Sequence, residues 1–324
     1  MLALLFTLGL LAVGMLLLVV GADWFVDGAG DLARALGISA LVVGVLLAGL
    51  EPEEMLTAAI ASARGAPTLA VGNVIGTNVT IVTLALGLSA LIFPMTIDRS
   101  VRRQALIATL VSIIPVVLLF LGVVTQLEGI FLLVMFAGYT IFLFRTDRQA
   151  VTHMAEPEGD NDDDDKEHDQ KFQGRPRLGW KPVVLTIGGL AAMAAGGPAI
   201  VEGALRLAQT IGLTQGAVGA TIVSLGTGAE MIALGVSAAR KKRSDLLVGG
   251  ILGSFAYNLL VTLGLAATIR SIPVDPHVTF IALPVMIGVH LALLGLVWYG
   301  KITRWMGGLL VGVYVAYLVA VVVA

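Results

Sequence analysis

The chain is built from apolar runs of about 20 residues, the length at which an α-helix spans the hydrocarbon core of a bilayer. Ten such stretches can be read, at 2–20, 26–63 (long and interrupted), 68–93, 104–124, 128–146, 182–205, 213–240, 245–269, 277–299 and 303–323. Composition agrees: 57% of the 324 residues are hydrophobic and 13% charged, against about 45–50% and about 25% in a soluble domain. A soluble enzyme is excluded. The absence of cysteine excludes disulfides, thiolate metal sites and Cys nucleophiles. The first 20 residues lack a basic start and a convincing small-x-small cleavage site, so they are read as the first span rather than a secretory signal.

The few charges are sorted. One polar segment, 147–181, contains EGDNDDDDKEHDQ and separates the fifth stretch from the sixth. Seventeen of the 20 Lys and Arg residues fall on the side of the chain that carries this segment. Only Arg64, Arg206 and Arg270 fall on the other. Positive loops stay in the cytoplasm, so the acidic loop is expected there, with both termini outside, in a multi-pass protein of the cell inner (plasma) membrane. The acidic run is a poor EF-hand, with no Gly at the sixth position and like charges in a block. It reads as a solvated, disordered linker.

The chain also repeats itself. LAVGNVIGTNVTIVTLALGL (69–88) and LLVGGILGSFAYNLLVTLGL (246–265) share Leu, Val, Gly, Gly, Leu, Gly and Leu at an offset of 177. Upstream at the same offset, Gly49 matches Gly226 and Glu53 matches Glu230. VDGAGDLARALGI (26–38) parallels VEGALRLAQTIGL (201–213) at an offset of 175. Each half has five stretches, and an odd number inverts the second half relative to the first, as in secondary transporters whose sites form at the midplane. The expected fold is therefore all-α, a polytopic membrane protein of ten transmembrane helices in two inverted five-helix repeats. The divisions are 1–146, a loop at 147–181, and 182–324.

Four glutamates lie inside apolar stretches: Glu51, Glu53 and Glu54 in the second, Glu230 in the seventh. Each costs at least ~2.5–3.5 kcal/mol at a helix centre, so packing alone does not explain them. Gly49, Pro52, Gly226 and Gly228 interrupt the helices beside them. A broken helix turns freed carbonyls and a half-helix end toward a cavity. Carboxylates with carbonyls and hydroxyls make an oxygen cage for a hard cation such as calcium, and the lack of Cys or a well-placed His argues against zinc or copper. The third and eighth stretches supply candidate partners: Asn73, Thr77 and Asn78 from GNVIGTN, and Ser254 and Asn258 from GGILGSFAYN. His290, inside a span, reads as a packing residue.

These residues resemble the calcium/cation antiporter superfamily, including the sodium/calcium exchangers, of which the chain looks like a divergent prokaryotic-type member. That family carries a GTSxPE-type signature on helices two and seven and a GNxxGSNxxN-type signature on helices three and eight. Twenty-seven residues separate Gly49 from Gly76 and Gly226 from Gly253, as in the family. GADWFVDGAGDLARALGIS (21–39) also resembles its usual end of span one and start of span two. The family's ion-binding Glu falls on Glu54 in the first repeat and on Met231 in the second, with Glu230 one place early. The proton/calcium branch has a GNxxE pattern whose spacing Glu53 and Glu230 share. The family's Thr-Ser pair becomes Leu50-Glu51 and Thr227-Gly228, and the last second-signature position is Ile81 and Asn258.

The resemblance implies an antiporter rather than an enzyme, channel or scaffold, with no cofactor and no nucleic-acid partner. Calcium is exchanged for sodium, or alternatively for protons. Calcium is expected between Glu53, Glu54 and Glu230, with Asn78, Thr77, Ser254 and Asn258 completing the shell and Glu51, Thr227 and Asn73 nearby. Spans one and six slide to alternate access. The residues leave the oligomeric state open.

Overall fold

The computed structural model describes residues 2–49, 51–65, 67–99, 101–154, 179–210, 224–274 and 278–323. Helix α1, Leu2–Leu36, passes without a break through the polar residues that suggested a turn near 20–26. The first turn comes instead at 37–39, where Gly37 takes a left-handed φ of 66° and Ser39 Oγ caps α2 (Ala40–Val43) by accepting from Val42 N at 3.3 Å. The boundary between the first two stretches therefore moves from 20–26 to 37–39. The physical reason is long-range. Asp23 inside α1 is paired with Ser237 and Arg240, which a local pattern does not reveal.

A π-helical turn, Gly44–Ala48, continues α2 to Gly49, and α3 (Pro52–Ala63) starts afresh. The first half then runs α4 (Pro67–Thr80), a second π turn (Ile81–Ala85), α5 (Leu86–Ile92), β1 (Met95–Thr96), α6 (Val101–Phe120), β2 (Val123–Val124) and α7 (Gln126–Met154). The second half runs α8 (Trp180–Thr210), α9 (Ser224–Arg240), α10 (Ser244–Tyr257), a π turn (Asn258–Thr262), α11 (Leu263–Ile269) and β3 (Ile272–Pro273). A further π turn (Val278–Ala282), α12 (Leu283–Tyr299), β4 (Lys301–Ile302) and α13 (Arg304–Val323) complete it. The polar segment shortens at both ends, because α7 continues to Met154 and α8 begins at Trp180. Its acidic run lies outside the described residues.

The sequence offset of 177 reappears in the elements. α4, its π turn, α5 and β1 shift by 177 at both ends onto α10, its π turn, α11 and β3. The contacts are reciprocal too. β1 pairs antiparallel with β4 (Met95 with Ile302) and β2 with β3 (Val124 with Ile272). α5 packs on α13, and α11 packs on α7. Each half lends the other the same contact.

The two repeated arms form the centre. Every residue of α10 from Leu246 to Tyr257 is buried, and Ile75, Ile81 and Leu86 of the partner arm are fully enclosed. The outer helices show large apolar side chains instead, with Leu127 79% and Trp180 78% exposed. Such a surface needs lipid as its solvent. Among the described residues seven segments are long and apolar enough to cross a membrane, and Arg304–Ala320 is a shorter apolar helix. The second predicted stretch does not count among them because Gly49 breaks it. Part of the seventh, 213–223, lies outside the described residues. α1 and α8 pack along one another as a long antiparallel pair. A Cβ at Gly189 would lie 2.5 Å from Phe25 N, so this approach requires glycine. His290 stacks on Phe255 with ring centroids 3.9 Å apart and lies 2.9 Å from Thr109 Oγ1, in the packing role expected of it.

Candidate functional site

The break between α2 and α3 creates the site. Pro52 at the first turn of α3 has no N–H to satisfy, which suits a helix start, and it pushes the preceding residue out of the helical region. Glu51 accordingly sits at φ −124°, ψ 75°, and its side chain does not cap the helix. That carboxylate turns to the end of α10, where Asn258 Nδ2 donates to Glu51 Oε2 at 2.7 Å. The backbone crossing beside it is tight. A Cβ at Gly49 would fall 2.5 Å from Gly253 C, and one at Gly253 would fall 2.2 Å from Val45 O. Glycine at 49 and 253 thus lets the broken stretch of helix pack backbone to backbone against α10.

Asn258 is the hub of the second-half side chains. Its Nδ2 also lies 3.4 Å from Ser254 Oγ and 3.5 Å from Asn78 Oδ1, while its Oδ1 accepts from Thr262 Oγ1 at 3.3 Å. Asn78 reaches Met286 Sδ at 3.8 Å. Glu54, one turn into α3, is held from α4: Asn73 Nδ2 donates to Oε2 and Thr77 Oγ1 to Oε1, the latter at 3.1 Å. Glu51 and Glu54 are each 4% exposed, and Asn78, Ser254 and Asn258 are fully buried. Hydrogen bonds to a buried carboxylate offset part of its burial cost.

The expected residues therefore form two bonded groups, Glu54–Asn73–Thr77 and Glu51–Asn258–Ser254–Asn78. Glu230 approaches from α9 and faces α8, where a Cβ at Gly197 would come 2.8 Å from its Oε1. It lines a cavity of about 250 Å³ with Ala48, Met193, Ala194 and Met231. Ala48 closes the π turn next to Gly49, so Glu230 borders the same break. The side chains of Glu53 and Thr227 lie outside the description. Among the described residues no three carboxylate or imidazole side chains converge on one point.

Sequence reasoning missed two neighbours. Thr262, which bonds Asn258, stands one turn beyond it on the same helix face, and that spacing was a usable signal. Met286 comes from a distant helix with no local cue.

The set is rich in oxygen, with carboxylates, amide carbonyls and hydroxyls and no thiol. It suits a hard cation. Residues 6–145 and 181–323 match the family described as sodium/calcium exchanger protein. The inner membrane protein YrbG of Escherichia coli (strain K12) is 32% identical over 82% of this chain and 81% of its own. The sodium/calcium exchanger MaX1 of Methanosarcina acetivorans is 29% identical over 96% of this chain and 97% of its own. The solved sodium/calcium exchanger from Methanococcus jannaschii superposes with a TM-score of 0.79 at 26% identity, covering 97% of this chain and 98% of that one.

Proposed function

The chain belongs to the sodium/calcium exchanger protein family, and we propose on that footing that it is a secondary antiporter of the inner (plasma) membrane, exchanging calcium for sodium by alternating access. The observation that carries the reading is the buried pair Glu51 and Glu54 at a helix break, each held by an amide from a different repeated arm.

Asn73 and Asn258 turn N–H groups toward the carboxylates. An amide carries its carbonyl oxygen and its NH2 on one plane, so a half turn presents oxygen instead. A calcium ion held by Glu54, Glu230 and Glu53 would draw Asn73 and Asn258 into that second orientation, with Asn78, Thr77 and Ser254 adding oxygens toward the about 6–8 that calcium takes. Two or three carboxylates balance the divalent charge, which makes occupancy at depth affordable. Sodium ions occupying the same oxygens in the return step, with Thr227 and the other hydroxyls, give exchange rather than leak.

Ten transmembrane helices in two inverted five-helix repeats accompany this reading. Its support is the recurrence of elements at 177 residues and the reciprocal pairing of β1 with β4 and β2 with β3. The 17 to 3 division of Lys and Arg supports termini outside and the polar segment in the cytoplasm.

A proton counter-ion is the second reading, and one feature favours it. Where the family has a hydroxyl beside the first-signature Gly, this chain has Glu51, a buried carboxylate 2.7 Å from Asn258. A carboxyl group at that position can itself take up and release a proton, which a hydroxyl does not do at neutral pH. Calcium uptake by proteoliposomes under separate outward sodium and proton gradients tests both. Uptake that follows sodium alone supports the first reading, and uptake that follows the pH gradient alone supports the second. Uptake under neither gradient overturns antiport.

A further inference from the structure

α1 carries Asp23, Asp27 and Asp31, spaced four residues apart, so the carboxylates form one row with a rung every ~6 Å. The C-terminal end of α9 meets this row. Asp23 accepts from Ser237 Oγ at 2.5 Å and from Arg240 Nη2 at 2.6 Å. Lys241 Nζ donates to the Asp23 carbonyl at 2.9 Å and pairs with Asp27 at 2.8 Å. Asp31 pairs with Arg34 on its own helix and borders a recess of about 570 Å³ that Lys241 and Arg243 also line.

On the other side of Asp23 the row ends. Met15, Leu18 and Val19 line an apolar cavity of about 320 Å³ with Ala229, Ile232, Ala233 and Val236 of α9. Asp23, Ser237 and Arg240 line it too, so the ion pairs stand between the recess and this cavity.

We propose that this row is a stepped latch: α1 moves one turn past α9, and Arg240 and Lys241 exchange Asp23 and Asp27 for Asp27 and Asp31. Both cations regain carboxylates after the step, so two registers are matched and the positions between them are not. Paired arrangements of this kind give a two-state element. The step has one direction, toward the N-terminal end of α1, because only apolar side chains lie behind Asp23. The partners are partly exposed, from 24% for Lys241 to 60% for Asp27, so water and salt weaken the pairs enough to let them exchange. The latch rests on the alternating-access reading above.

The chain has no cysteine, so Ala233→Cys reports on the cavity without interference. An impermeant maleimide is added to each face of vesicles holding this parent, and labelling is timed from the face that carries Arg240. Asp23→Asn is expected to raise the rate at least threefold by weakening the first register alone, and Asp23→Ser repeats the test should Asp23→Asn fail to fold. Asp31→Asn, which removes the Lys241 partner of the shifted register alone, is expected to lower the rate at least twofold. Equal rates in all chains overturn the latch, and so does a rise with Asp23→Asn or Asp23→Ser without a fall with Asp31→Asn. Calcium exchange by the same parent vesicles separates the two readings. Exchange with unchanged labelling fails the latch alone, and shifted labelling without exchange fails the transport reading alone.

Discussion

The central arms, α4–α5 and α10–α11, and the outer pair, α1 and α8, are both long apolar assemblies that meet through glycine, yet they are built in opposite ways. The arms carry their polar side chains inward and are enclosed by other helices: Asn78, Thr83, Ser254, Asn258 and Thr262 are all buried. The outer pair turns Leu5, Leu16, Val184 and Ile187 outward. It is tied to the rest at α9 by ion pairs that water reaches. An enclosed frame holds ligating oxygens in place, whereas a lipid-faced pair held by glycine contacts and weak charges is suited to move. Under the proposed antiport mechanism, the arms would hold the ligating side chains and the outer pair would carry the motion.

The sharpest way to break this comparison is to add volume to each region. Gly253→Val puts side-chain atoms into the Val45 backbone, with enclosed helices on both sides. It is expected to cost roughly 3 kcal/mol or more of stability, seen as loss of a cooperative thermal transition in detergent. Gly189→Ala meets Phe25 N at 2.5 Å, but α8 exposes Val184 and Ile187 on its outer face and has room to shift. About 1–2 kcal/mol is expected there. A larger cost at Gly189 than at Gly253 would reverse the assignment of frame and moving part.

Within the frame, Asn258→Ala removes the 2.7 Å donor to Glu51 and the hub of its neighbours. A hydrogen bond to a charged group is worth about 1.5–3 kcal/mol, so calcium exchange should weaken by about 10- to 150-fold in apparent affinity. Asn73→Ala leaves Thr77 on Glu54 and should stay near the lower end, about tenfold. Equal losses would mean that the two bonded groups act as one. The smallest effect is expected on the outer pair. The Arg206 guanidinium lies over the Phe6 ring at 5.3 Å, linking α8 to α1 at an exposed position. Arg206→Ala should change thermal stability by about 0.5–1 kcal/mol and leave the exchange rate within twofold.

The sequence made the arms legible because both of their signals are local. The glycine and leucine pattern that repeats at 177 residues became elements with matching bounds, and the Gly49 and Pro52 interruption became the break that frees Glu51. The start of the second span was misread for the converse reason. Asp23 falls in the gap between the first two apolar stretches, and its partners Ser237 and Arg240, more than 200 residues away, hold it inside a continuous helix. The division of the site into two bonded groups was likewise hidden. Glu51 and Glu54 are three residues apart, but one answers to Asn258 and the other to Asn73 and Thr77. Which carboxylate meets which amide depends on how α3 crosses the two arms, and no local spacing encodes that crossing.

Glu54 is the carboxylate held by two donors from one arm at the break between α2 and α3, and the proposed exchange requires it as a ligand. The direct measurement is radioactive calcium uptake into sodium-loaded proteoliposomes by the unaltered chain and by Glu54→Gln, a change that keeps the shape and an acceptor oxygen while removing the charge. The account predicts sodium-dependent uptake by the unaltered chain and a fall to the protein-free background for Glu54→Gln, with the variant still folded. Uptake by Glu54→Gln within twofold of the unaltered chain would contradict it.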